Sequence, residues 1–214
     1  MRENTLIVFM SDNGGNQTAL LAGAEDVSKL KLPADSGPYR GGKGTLYEGG
    51  TRVAALANWP GHIKPGEVKG MMHVVDMFPT LAGLAGAKLT GGKPLDGLDV
   101  WSAISTGSPS LRQEIVYNIE PFRGGVREGD WKLIWRTPLP SAKELYNIRQ
   151  DPSEKTNLAD SNSQKVAELQ SRIEQLAKES AKSLFLVDAF AAVKESAHGP
   201  PSLPNEDAYF TQGD

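Results

Sequence analysis

Apolar residues gather near the start of the chain in Thr5-Leu6-Ile7-Val8-Phe9-Met10, a β-branched and aromatic run that stops at Ser11-Asp12-Asn13-Gly14-Gly15. A short run of this kind closed by Asx-Gly predicts a buried strand over 5–10 that enters a tight turn. Residues 11–50 are rich in Gly, Asn, Ser and Pro and carry no periodicity, so they are expected to form loop. A loop of such length inside a compact domain is usually functional or disordered. Val53-Ala54-Ala55-Leu56-Ala57-Asn58 predicts a second apolar strand, halted by the turn Trp59-Pro60-Gly61. A helix is expected from Asp76 to Ala85, capped by Asp76 or the residue before it, with Pro79 in its first turn where a missing N–H is tolerated. Val100-Trp101-Ser102-Ala103-Ile104 predicts one short helix. Apolar strands alternating with loop and helix predict an α/β arrangement with a covered sheet.

The texture changes near residue 110. Glu114–Ile119, Gly125–Glu128, Trp131–Arg136 and Ala142–Asn147 are short strand candidates, separated by Gly129-Asp130 and by Pro138-Leu139-Pro140. Their close spacing predicts an antiparallel meander. Over Ser163–Ser183 and the residue after it, Val166, Leu169, Ile173, Leu176 and Leu184 recur among charges at helical spacing. They predict an amphipathic helix packed on the meander. His198-Gly199-Pro200-Pro201-Ser202-Leu203-Pro204 cannot hold a helix and is expected to be an extended tail. The implied division is 1–110, 111–185 and a tail over 186–214.

Composition narrows the function classes. With 23 Lys+Arg against 26 Asp+Glu the net charge is −3, so no basic excess favours nucleic acid. No apolar run approaches the roughly 18 residues of a membrane span, so no membrane partner is expected. The chain has no cysteine, which removes disulfides, thiolate metal sites and a cysteine nucleophile together. Met1-Arg2-Glu3-Asn4 leads into an apolar run too short for a secretory signal, with no small-residue cleavage pattern. Opening directly on a strand raises the expectation that part of the fold precedes it.

Several residues could carry chemistry. Asp12 and Asn13 follow the first strand, where ligands sit in open α/β folds, and their oxygens suit a hard cation such as Ca²⁺ or Mg²⁺. Asp-Asn-Gly is equally a common turn sequence. Lys43 lies in Arg40-Gly41-Gly42-Lys43-Gly44, where the glycines permit a close backbone approach and an inward lysine suited to an anion. A solvated loop lysine is the alternative, and the pattern is no phosphate P-loop. Glu48 and Arg52, among the glycines of Glu48-Gly49-Gly50-Thr51-Arg52, are expected to pair and fix the loop. His62, His73 and His198 match no zinc spacing; His73 is expected to be partly buried, the other two to lie at the surface. Trp59, Trp101, Trp131 and Trp135 are expected to be core or interface residues.

Taken in order, Ser11-Asp12-Asn13-Gly14, then Pro38-Tyr39-Arg40-Gly41-Gly42-Lys43-Gly44-Thr45-Leu46-Tyr47-Glu48-Gly49-Gly50-Thr51-Arg52, then Trp59-Pro60-Gly61 and Val75-Asp76-Met77-Phe78-Pro79-Thr80-Leu81 resemble the sulfatase family. Arg127-Glu128-Gly129-Asp130-Trp131-Lys132-Leu133, Glu144-Leu145-Tyr146-Asn147 and Asp151-Pro152-Ser153-Glu154-Lys155-Thr156-Asn157-Leu158 resemble its C-terminal subdomain. The likeness covers residues 5 to about 183 and is nearest to the arylsulfatase B-like branch. It implies the C-terminal part of an alkaline-phosphatase-like α/β fold, followed by a small antiparallel sheet with a long helix. It implies hydrolysis of sulfate esters, with Asp12 and Asn13 among the Ca²⁺ ligands and Lys43 on the sulfate; Arg40, Glu48 and Arg52 would support the loop. Mg²⁺ is the alternative metal. Asn13 favours this chemistry over a zinc phosphoesterase of the wider superfamily, which tends to place histidine there.

The resemblance also implies a formylglycine nucleophile, made from Cys or Ser in a C/S-x-P-x-R motif of the N-terminal half. No such motif occurs here in that place. Ser36-Gly37-Pro38-Tyr39-Arg40 fits the pattern but follows the Asp-Asn pair instead of preceding it, so it is rejected as the nucleophile. The chain is therefore expected to be the C-terminal portion of a truncated, split or mis-started sulfatase, inactive alone, with the missing half or a second copy as partner. Family likeness implies a periplasmic, secreted or lysosomal location. A non-catalytic scaffold of sulfatase-like shape and a phosphoesterase are the alternatives.

Overall fold

A computed structural model of the chain describes residues 1–16, 34–90, 92–119, 123–136 and 142–180. Met1–Ala177 forms one compact unit and Lys178–Asp214 a second, of which residues 178–180 are described. The expected tail with His198 and the Pro138-Leu139-Pro140 separator lie outside the described residues.

The first part of the chain builds a two-stranded ribbon. Strand β1 (Ile7–Met10) pairs antiparallel with β2 (Ala55–Asn58), placing Phe9 opposite Leu56 and Val8 opposite Ala57. Both strands fall where the apolar runs predict them, but neither is buried and the sheet is not covered. Phe9 is 62% exposed and Leu56 68%. Two strands cannot bury both of their own faces, and of this pair's residues only Met10 and Ala57 are even half-buried.

Between these strands the expected loop contains one turn of helix, α1 (Glu48–Thr51). Its sequence, Glu-Gly-Gly-Thr, has poor helix propensity; outside contacts described below hold it. After β2 a 3-10 turn (Val74–Asp76) runs into α2 (Met77–Leu84), and α3 (Trp101–Thr106) ends at Gly107 with φ +74°. Asp76 stands at the N-terminus of α2 as expected, yet its carboxylate does not cap that helix. It accepts instead from the His73 N–H at 2.8 Å, the Leu98 N–H at 2.9 Å and the guanidinium of Arg112. Asp76 thereby ties α2 to the chain entering the C-terminal sheet.

That sheet has four antiparallel strands in chain order: β3 (Glu114–Ile119), β4 (Arg123–Glu128), β5 (Trp131–Arg136) and β6 (Ala142–Asn147). Glu128 pairs with Trp131 across Gly129-Asp130, and Gly129 takes φ +55°, which glycine adopts freely. The meander is as expected. Alternation then sorts the two faces. Val126, Leu133 and Leu145 point to one side and form a core with Leu169 and Ile173 of α4 (Ser163–Glu179). Trp131, Trp135, Val166 and Leu176 pack on that core. Fully burying such side chains is worth roughly 1.5–3 kcal/mol each. The other face carries Ile134 and Tyr146, which pack with Ile148 on Leu46 and Tyr47. One face of the sheet thus meets its own helix, and the other meets the loop that holds Lys43.

Candidate functional site

Asp12 and Asn13 leave the C-terminal end of β1. The Ser11 N–H donates to the Ala54 carbonyl at 3.0 Å, and the Ser11 hydroxyl donates to the Asn13 carbonyl at 2.8 Å. The next two residues bind the lysine loop. The Gly14 N–H donates to the Gly50 carbonyl at 3.0 Å, and the Lys43 N–H donates to the Gly15 carbonyl at 2.9 Å. These bonds tie the turn that follows β1 to the loop that carries Lys43. Asp12 and Lys43 are both exposed and Asn13 is half-buried. The Asn13 side-chain N–H donates to the Gly14 carbonyl at 2.9 Å.

The approach depends on missing side chains. A Cβ on Gly50 would lie 2.3 Å from the Thr45 carbonyl oxygen, and one on Gly49 2.5 Å from that of Arg40. Loop 40–45, α1 and the turn after β1 are therefore packed backbone on backbone. Ser36 belongs to this packing. Its hydroxyl donates to the Gly49 carbonyl at 3.0 Å.

Glu48 pairs with Arg52 as expected, at 3.7 Å, but its principal partner is another residue. Lys132 of β5, fully buried, reaches Glu48 Oε1 at 2.9 Å and Glu154 Oε1 at 3.0 Å. Glu154 Oε2 accepts the Glu48 N–H at 2.6 Å, and Arg127 lies 3.8 Å from Glu48 Oε2. The Lys132 ammonium also stands 4.5 Å above the ring of Tyr117. Burial pushes the Glu154 carboxyl above its ordinary value and outweighs the opposing pull of Lys132. Burial likewise raises the Tyr117 hydroxyl, with Glu48 adding to the effect. Paired, hydrogen-bonded carboxylates are the form in which buried charge is tolerated.

Arg40 is the second clasp. Its guanidinium lies 3.9 Å from the centre of the Tyr47 ring and donates to Tyr146 Oη at 2.7 Å and to Glu144 Oε2 at 3.3 Å. Glu144 also accepts from Tyr47, Tyr146 and Arg136. Burial alone would raise its carboxyl, yet the tyrosine hydroxyls and the two guanidinium groups hold it below the usual range. Arg123 Nη1 donates to the Gly44 carbonyl at 2.9 Å, beside Lys43.

His62 and His73 make their contacts elsewhere. His62 is exposed and stacks at 4.1 Å on Trp59, which in turn meets Trp101 at 5.9 Å. His73 is half-buried as expected, and its Nδ1 accepts the Val75 N–H. Lys132, Glu144 and Glu154 went unrecognised as site-supporting residues. The signal available for Lys132 was alternation in Trp131-Lys132-Leu133-Ile134, which sets it on the face opposite Leu133.

Among the described residues no group of three or more His, Cys, Asp and Glu could hold a metal, and no helix is long and apolar enough to cross a membrane. The mixed α/β arrangement, ending in a four-stranded antiparallel sheet and a helix, is that of the C-terminal part of a sulfatase fold. Residues 1–87 match the family model described as Sulfatase, and the chain belongs to the sulfatase family. It is similar to arylsulfatase J of Mus musculus, 36% identical over 143 residues, which covers 65% of this chain and 22% of that protein. Arylsulfatase A of Homo sapiens is 34% identical over 181 residues, covering 73% of this chain and 34% of that protein. A solved structure from a glycosaminoglycan-metabolising locus of Bacteroides thetaiotaomicron superposes with a TM-score of 0.67 at 27% identity, covering 82% of this chain and 39% of that one. The chain thus spans well under half the length of the relatives it matches.

Proposed function

We propose that the chain is the C-terminal portion of a Ca²⁺-dependent sulfatase acting on sulfate esters, with Asp12 and Asn13 as metal ligands and Lys43 as the sulfate contact. The paired hydrogen bonds Gly14–Gly50 and Lys43–Gly15 carry this reading, because they join the Asp-Asn turn to the lysine loop.

The donor set fits a hard cation. Asp12 offers an exposed carboxylate, and Asn13, its amide nitrogen committed to Gly14, offers an amide oxygen. Ca²⁺ takes about 6–8 oxygens, so two residues form part of a site and the remaining ligands come from outside the described residues. Mg²⁺ would use the same donors. When bound, the cation would neutralise charge on the sulfate. Lys43 would do the same from the facing loop, where its positive charge favours the anion that develops as the S–O bond breaks.

A formylglycine is not accommodated by what this chain contains. Cysteine is absent. Ser36, the remaining candidate in an S-x-P-x-R pattern, spends its hydroxyl on the Gly49 carbonyl, and Arg40 of that pattern is bound to Glu144 and Tyr146. These 214 residues alone are therefore inactive. Their partner is the N-terminal half of the sulfatase fold, or a second copy, seated on the bare ribbon of β1 and β2. A periplasmic or secreted location accords with the family.

The test is hydrolysis of 4-nitrophenyl sulfate by the purified chain with Ca²⁺. No turnover is expected. Turnover abolished in Asp12→Ala would mean that the chain holds its own nucleophile, and the claim of an incomplete site would fall. Calorimetry with the same ester completes the test: Ca²⁺-dependent binding lost in Lys43→Ala supports the site, whereas no binding favours a scaffold.

A further inference from the structure

We infer that Lys132, in the middle of the C-terminal sheet, is a positioning residue for Lys43. The path between them is continuous. Lys132 neutralises Glu48 at 2.9 Å and Glu154 at 3.0 Å, and Glu154 in turn accepts the Glu48 N–H at 2.6 Å. Glu48 opens α1, whose Gly49 N–H donates to the Arg40 carbonyl at 2.8 Å and whose Gly50 carbonyl takes the Gly14 N–H at 3.0 Å. Gly15, next in the chain, accepts the Lys43 N–H at 2.9 Å. No Cβ fits at Gly14, Gly49 or Gly50, so a displacement of α1 has nowhere to be absorbed before it reaches Lys43 and Asn13. The role matters to function through the reading of Lys43 as the sulfate contact.

Charge makes Lys132 more than a filler of space. Among the described residues the Glu154 carboxylate pairs with one cation, Lys132, while Arg40 donates to the Glu154 carbonyl at 3.4 Å; Glu48 has Arg127 and Arg52 as well. Tyr117 of β3 lies against the Lys132 ammonium. Removing the lysine leaves Glu154, which is almost fully buried, charged and uncompensated beside Glu48. The strain is relieved either by protonating Glu154, which burial already favours, or by making it neutral. Gln at 154 keeps an oxygen for the Glu48 N–H, and Arg127 and Arg52 then balance Glu48.

The experiment is amide hydrogen exchange on the full chain, read at Gly14 and Lys43 and, for comparison, across β4 and β5. In Lys132→Met, protection at Gly14 and Lys43 is expected to fall by about tenfold or more while the sheet amides hold, since local and global opening are separate events. That protection should return as pH is lowered, and at neutral pH in the double variant Lys132→Met/Glu154→Gln. Glu154→Ala, which removes the acceptor of the Glu48 N–H but leaves Lys132 one carboxylate, is the milder second variant with the same expected local loss. Unchanged protection at Gly14 and Lys43, loss in step with β4 and β5, or no recovery in the double variant would each overturn the role. Protected Gly14 and Lys43 amides in a wild-type chain that binds no 4-nitrophenyl sulfate would sink the sulfate reading and leave the Lys132 relation intact.

Discussion

Gly14 and Gly49 meet backbone to backbone: a Cβ on Gly14 would stand 1.8 Å from the Gly49 carbonyl oxygen. Neither partner is a movable side chain, so Gly14→Ala must displace the turn that carries Asp12 and Asn13. Overpacking of this kind costs roughly 1–3 kcal/mol or more. Urea unfolding should show that loss for Gly14→Ala. Gly66→Ala, where a Cβ meets nothing within 4 Å, should stay within about 0.5 kcal/mol of wild type. Equal midpoints for the two variants would refute the close approach.

Asp76 is fully buried beneath Arg112. Burial pushes its carboxyl up, but bonds from Arg112 and from the Leu98 and His73 N–H groups outweigh burial and hold it below its ordinary value. A carboxyl lowered on folding stabilises the fold above its unfolded pKa, about 3.9, and loses that contribution as pH falls through the folded value. The stability gap between wild type and Asp76→Asn should therefore be widest near neutral pH and narrow below about pH 4. A gap constant down to the lowest pH would show that the Arg112 pair contributes nothing through charge.

Phe9 and Leu56 face each other on an open ribbon, with Ile7 and Val8 also exposed. Apolar surface of this sort is covered by association or drives it. In light scattering the wild-type chain should grow in mass with concentration, and Phe9→Ser/Leu56→Ser should remain a monomer. A wild-type chain that stays monomeric throughout would argue against a partner at this ribbon.

Leu133 and Leu145 lie at the centre of the core between the sheet and α4. Leu145→Ala should cost about 2–5 kcal/mol. Leu111→Ala, at a site 68% exposed, should cost under about 0.5 kcal/mol. Chemical denaturation of the two variants checks the contrast, and similar losses would place the core elsewhere.

The C-terminal sheet was legible almost residue for residue, because its strands alternate cleanly and its Gly129-Asp130 turn is written locally. The helix Glu48–Thr51 was not. Two of its four residues are glycines, and what stabilises it, Glu154 on the Glu48 N–H, lies 106 residues away. Lys132 was missed for a related reason. A lone lysine in a strand implies solvent unless its distant carboxylates are known. Asp76 showed its position but not its partner, since Arg112 lies outside the helix it opens. Burial of β1 was expected from its apolarity, a property that says what a strand would accept as cover and not whether cover is present. Asp12, Asn13 and Lys43 were visible as residue types; what joins them, main-chain bonds at Gly14 and Lys43, leaves no mark in side-chain pattern.

The chain-order arrangement of β3 to β6 has a consequence for the sequence of events in folding. Each pairing joins neighbouring strands, so each closes a short loop at small entropic cost, and topologies of this sort form fast. The clasps to the lysine loop span much longer stretches, 84 residues for Lys132–Glu48 and 106 for Arg40–Tyr146. The meander should therefore stand before the loop is set, and serve as the template against which a glycine-rich segment with little structure of its own acquires a single shape.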